Sequence, residues 1–256
     1  MWLATRYLCY ALLLLSLVSS AQAAWVEEHS RFPFVIRADY RVENPTTILA
    51  ELSEMQTELS DKLGVQPASD WIELYLFRDQ RSFQEYVSRQ FPGFESRRAL
   101  FIQGRGPAMV LAYRGENLGT DLRHETTHAL LRAHSARVPL WLDEGLAEYF
   151  ELSPEQRRTD AQHDPKLQAA MRQPDWPSLA KLERETDVKQ FDQRDYVAAR
   201  TWARYLIDGP SDAQIQLRAF LAEAADREPE RTLRDRLSDL EPDVEQAMRT
   251  SWQTVP

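Results

Sequence analysis

The chain has 256 residues, with 31 Lys and Arg against 40 Asp and Glu and a formal net charge of −9. At 43% hydrophobic and 28% charged residues it has the composition of an ordinary folded protein, which excludes extended disorder and a polytopic membrane protein. The acidic balance argues against a general nucleic-acid binder, because polyphosphate is repelled, and a single Cys excludes a disulfide scaffold or a Cys-based metal knot.

The first residues, MWLATR, are followed by the apolar run YLCYALLLLSLVS at 7–19 and then by Ser20-Ala21-Gln22-Ala23. The run is too short for a bilayer-spanning helix, which needs about 20 apolar residues. Ala21 and Ala23 match the small-x-small pattern read by signal peptidase. Residues 1–23 are therefore expected to be a cleaved signal peptide, with an uncleaved anchor as the alternative. The mature chain is expected to be exported, periplasmic or secreted, without a membrane span. Cleavage also removes Cys9, which suits an oxidising compartment.

In the mature chain, Phe32–Ala38 reads as a strand. Asn44-Pro45 then opens a helix with apolar residues at Ile48, Leu49, Leu52, Met55, Leu59 and Leu63, ended by Gly64. Trp71–Phe77 reads as a strand. Phe83, Tyr86, Val87 and Phe91 mark a short helix stopped by Pro92-Gly93. Ala99–Gln103 and Ala108–Tyr113 form a hairpin-like pair around Gly104-Arg105-Gly106-Pro107. The order β-α-β-α-β-β predicts a mixed sheet with helices on one face. Beyond about residue 117 only helical patterns recur: Leu118–Ala133 capped by Asn117 or Thr120, a break at Ser135–Pro139, Leu140–Leu152, then 191–208, 211–225 and 240–252. In the last, Val244, Met248 and Trp252 form a core stripe. The expected fold class is α+β, with a mixed β-sheet lobe at 24–116 followed by a helical lobe at 117–256.

The chemistry concentrates at His124-Glu125-Thr126-Thr127-His128. On a helix, residues four apart project from one face, so the two imidazoles can share one cation. Imidazole suits zinc, and Glu125 can lie beside a zinc-bound water as its general base without being a ligand. A catalytic zinc takes three protein ligands. Glu144, in Trp141-Leu142-Asp143-Glu144-Gly145-Leu146-Ala147-Glu148-Tyr149-Phe150, is the expected third, delivered by the helix after the Pro139 break. Metal-bound His usually donates its other N–H to a carboxylate, which makes Asp143 and Glu148 the expected partners, one for each His. His134 stands at the spacing of a third His ligand in H-E-x-x-H-x-x-G-x-x-H. Leu131 occupies the glycine position of that pattern and resists the left-handed turn it requires, so His134 is expected to lie off the metal.

HETTH at 124–128 and WLDEGLAEYF at 141–150 resemble the gluzincin zinc metallopeptidases, in particular the small exported bacterial peptidase MA-like proteins. The resemblance implies a zincin-like fold with the active-site helix between two lobes. It implies one zinc ion held by His124, His128 and Glu144, Glu125 as general base and acid, and a peptide or protein substrate. It also implies an oxyanion donor on a later helix, for which Tyr196 is the candidate, and an edge strand that pairs with extended substrate, assigned to Ala108–Tyr113. The interval from His128 to Glu144 is shorter than in gluzincin aminopeptidases, and no G-x-M-E-N signature is present, so exopeptidase specificity is not implied. The competing reading is a non-catalytic exported zinc-binding or partner-binding domain.

Overall fold

A computed structural model describes residues 25–160 and 165–252; the expected signal peptide lies outside the described residues. Strands β1 (Glu27–Arg31) and β2 (Phe34–Ala38) form a hairpin, and helix α1 (Pro45–Leu63) follows. Then come β3 (Ile72–Phe77), α2 (Gln80–Gln90), β4 (Ala99–Ile102) and β5 (Ala108–Tyr113). The rest is helical: α3 (Leu118–His134), α4 (Leu140–Phe150), α5 (Pro154–Asp160), α6 (Pro165–Met171), α7 (Leu179–Arg184), α8 (Gln193–Asp208), α9 (Ser211–Asp226), α10 (Leu233–Ser238) and α11 (Val244–Ser251). This is the expected α+β order of an N-terminal sheet and a C-terminal helical region.

Local chemistry explains the helix limits. Pro45 starts α1, where a missing N–H costs nothing, and Gly64 ends it in the left-handed region (φ 73°), its N–H bonding Ser60 O. Asn44 stands at the cap but in a left-handed conformation, without the expected side-chain bond. Asp79 caps α2 through the Ser82 N–H (2.8 Å). In α8, Asp192 and Asp195 form a reciprocal capping box, and the fully buried Asp195 also meets Lys181 at 2.5 Å.

The sheet order is β1-β2-β3-β5-β4. β2, β3 and β5 are mutually parallel, while β1 and β4 close the two edges antiparallel to their neighbours. Two sequence expectations are corrected here. First, Ala108–Tyr113 is an interior strand flanked by β3 and β4, so the edge beside the helical region is β4. Second, helices lie on both faces. Ile72, Leu74, Leu76, Val110 and Ala112 join α1 and α3 in the main core, whereas Phe77 and Leu111 meet Phe83 and Val87 of α2 on the opposite face. The alternation of β3 and β5 between two apolar faces is what two-sided burial requires. β1 was not anticipated: Glu27-Glu28-His29-Ser30-Arg31 is polar because it is a mostly solvent-facing edge.

In the helical region α4 lies against α3 and α8. Gly145 of α4 permits the closest approach: a Cβ there would stand 2.5 Å from the backbone oxygen of Ala199 in α8. Val244, Met248 and Trp252 are buried as expected. Among the described residues no helix is long and apolar enough to cross a membrane.

Candidate metal centre

Helix α3 is held from both ends. Asp121 in its first turn pairs with Arg98 at 2.7 Å, which ties it to the start of β4. At its far end His134 Nδ1 accepts from the Gln66 N–H (3.2 Å) and Nε2 lies 3.2 Å from Leu221 O. His134 is thus a clamp between α3, the segment after α1, and α9, away from the His124–His128 pair, as its helical phase predicts.

One face of α3 presents His124 and His128 with their Nε2 atoms 3.2 Å apart. Glu144, brought in by α4, lies with one carboxylate oxygen 3.9 Å from His124 Nε2 and 3.8 Å from His128 Nε2. The three expected ligands therefore converge. Their Nδ1 atoms face outward onto carboxylates: His128 Nδ1 is 3.0 Å from Asp143, and His124 Nδ1 is 3.0 Å from Glu151.

Asp143 is the partner the sequence predicts. Glu148 is not, and Glu151, just past the end of α4, takes that place. Glu148 stays close enough to form a second acidic grouping with His124 and Glu151. Arg123 Nε donates to the Glu151 carbonyl (2.7 Å), which fixes the turn that carries it. Phe101 of β4 stacks on His128 with ring centroids 6.3 Å apart, so the edge strand runs beside the site.

The electrostatics favour a cation. Burial works against a charged His128, but Asp143, then Glu144 and Glu125, outweigh it and push its pKa up to about 10. His124 is raised in the same way: burial opposes it and Glu151 overrides. Glu144 is raised first by burial and further by Asp143 and Glu125, with the two His pulling against them.

The donor set fits a metal on its own chemistry. With each Nδ1–H donated to a carboxylate, the neutral rings turn their Nε2 lone pairs toward each other, and only a proton or a metal ion can hold them there. Tetrahedral zinc donors at roughly 2.0–2.2 Å from the ion stand about 3.3 Å apart; the two Nε2 atoms match this at 3.2 Å, and the Glu144 oxygen, at 3.8 and 3.9 Å, has to close in by about 0.5 Å. His124, His128 and Glu144 thus form a group that can hold a metal ion.

Glu125 is half-buried on the same helix and acts electrostatically on both His and on Glu144. Tyr196 of α8 is also half-buried. Burial, then Glu144, raises its hydroxyl's pKa, which places it in the field of the site.

No protein-family model matches this chain, and no curated protein matches it.

Proposed function

We propose that this protein is an exported zinc-dependent metallopeptidase of gluzincin type that cleaves peptide bonds in a peptide or protein substrate. The observation that supports this most directly is the convergence of two imidazole Nε2 atoms, 3.2 Å apart, on the Glu144 carboxylate, with both Nδ1 atoms anchored by acids. His124, His128 and Glu144 would hold the ion, and zinc bound there would supply Lewis-acid polarisation of a carbonyl and acidity to a water.

Glu125 is the residue with a free task. It lies in the field of the three ligands, one position along from His124. It takes a proton from the attacking water as the carbon–oxygen bond forms, and delivers that proton to the amine nitrogen as the carbon–nitrogen bond breaks. Tyr196 donates its hydroxyl hydrogen toward the carbonyl oxygen as negative charge collects there. Asp143 and Glu151 fix the ring orientations and raise the basicity of the imidazoles.

The discriminating measurement is metal content together with casein or peptide cleavage for the wild type and Glu125→Gln. The reading expects equal zinc content and activity lowered by on the order of a hundredfold or more. Glu125→Gln with undiminished cleavage overturns the role of Glu125. A wild type that binds zinc but cleaves nothing in a broad peptide library favours a binding domain instead.

A further inference from the structure

Ser96-Arg97-Arg98 leads directly into the edge strand β4, and its two arginines diverge. Arg98 turns to Asp121 and locks the strand to the helix that carries the imidazoles. Arg97 is exposed and stands close enough to the Tyr196 hydroxyl on α8 to lower its pKa against burial, Glu144 and Glu148. Two further cations near these acids are half-buried: Arg200 beside Glu148 and Glu151, and Arg123 against Glu151. Of these three cations Arg97 is the exposed one, on the side of Tyr196, Glu144 and Glu148.

The outer edge of β4 bears no strand among the described residues, since β4 pairs only with β5. An extended peptide laid on that edge passes Phe101, and hence His128, and it reaches Arg97 within the length of a four-residue strand, about 13 Å.

Building on the peptidase reading, we propose that Arg97 determines specificity by receiving a carboxylate of the bound peptide close to the bond that is cut. The planar fork of a guanidinium matches a carboxylate, and it loses less freedom per bond formed than a Lys ammonium does. The carboxylate belongs either to an Asp or Glu side chain or to the peptide's C-terminus.

The test uses zinc-loaded Glu125→Gln protein as a trap and fluorescence anisotropy of labelled peptides. An Asp- or Glu-containing peptide is compared with its Asn or Gln twin, each with a free or an amidated C-terminus. The acidic member is expected to bind roughly five- to tenfold more tightly. Sensitivity to Asp→Asn in the peptide marks the side chain as the source, and sensitivity to amidation marks the terminus.

In the trap carrying Arg97→Ala the preference collapses to parity. With Arg97→Glu it shifts to Lys-containing peptides. A merely structural Arg97 weakens every peptide by the same factor, and that result overturns the proposal. So does a preference that survives Arg97→Ala, or a peptide set of which none binds. Cleavage by the wild type separates the two readings. Cleavage without charge preference leaves the peptidase standing and removes Arg97. Arg97-dependent binding without any cleavage does the reverse.

Discussion

Gly145→Ala sets two opposing effects against each other. In a helix interior Ala is favoured over Gly by about 1 kcal/mol, so propensity alone predicts a more stable protein. The structure predicts the opposite. The added Cβ would lie 2.5 Å from Ala199 O and 2.8 Å from Ala199 C, where ordinary contact begins at 3.4 Å. Both atoms are backbone, so no rotamer change relieves the clash, and α4 must retreat from α8 by about 1 Å. Overpacking of this kind costs ~1–3 kcal/mol, and contact with rigid backbone puts it toward the upper end. The net expectation is a loss of about 1–2 kcal/mol. Glu144 precedes Gly145 and moves with α4. Ligand distances tolerate only about 0.2 Å, so zinc affinity falls as well, on the order of tenfold. Urea denaturation of the metal-free variant and a zinc titration against a chromophoric chelator measure the two quantities. A variant more stable than the wild type, with unaltered zinc affinity, would refute the idea that the α4–α8 approach places the third ligand.

Asp143→Asn and Glu151→Gln should each lower zinc affinity by roughly 10- to 100-fold while far-UV circular dichroism stays unchanged; affinity unchanged in both would show that the Nδ1 anchors are incidental. In metal-free protein His128 has its folded-state pKa raised to about 10, above the unfolded value near 6.5. Its stabilising contribution is therefore fully present below about pH 6.5 and is lost as pH rises through about 10. Urea midpoints should fall over that window in the wild type and not in His128→Gln, and parallel profiles for the two proteins would contradict the assignment. Over the same window zinc must displace the His128 proton, so calorimetric heats should depend on the ionisation enthalpy of the buffer. Asp195→Ala removes a fully buried carboxylate that caps α8 and meets Lys181, and should cost about 1–3 kcal/mol in chemical denaturation. A change within error would mean that Lys181 rehydrates and the helix finds another cap.

The elements with an internal apolar period were legible. α1 repeats Leu49, Leu52, Met55, Leu59 and Leu63 on one face, and those five are the residues it buries. β3 alternates between two covers, and Val244 and Met248 of α11 continue into Trp252, just past its end, as one buried stripe. The order of the strands in the sheet was not legible, because it is decided by pairing between distant segments. β5 and β4 are both short apolar runs joined by a turn, and nothing in either sequence says which one receives β3 on its free side. The polar β1 escaped notice for a related reason. A strand paired on one side and mostly wetted carries no hydrophobic signal of its own, and it is held in place by the backbone of β2.

The site divides along the same line. His124, Glu125 and His128 are fixed by a single helix, whose period is known in advance. Glu144 follows because a short break returns the chain antiparallel to α3. The second acidic anchor depends on a feature that spacing does not carry. The two imidazoles converge through Nε2, so their Nδ1 atoms must diverge, and the acids that meet them must be farther apart than the rings. His124 and His128 are one turn apart, about 6 Å along the axis, whereas Asp143 and Glu151 are separated by about 12 Å of helix rise. Glu148, one turn from Glu144, has a carboxylate oxygen within 4.8 Å of a His124 ring nitrogen but does not take the Nδ1 contact. Glu151 lies far enough along, and Arg123 steadies the turn that holds it. The choice between two glutamates three residues apart is thus a consequence of which ring nitrogens face the shared point. That becomes readable only once the rings have coordinates.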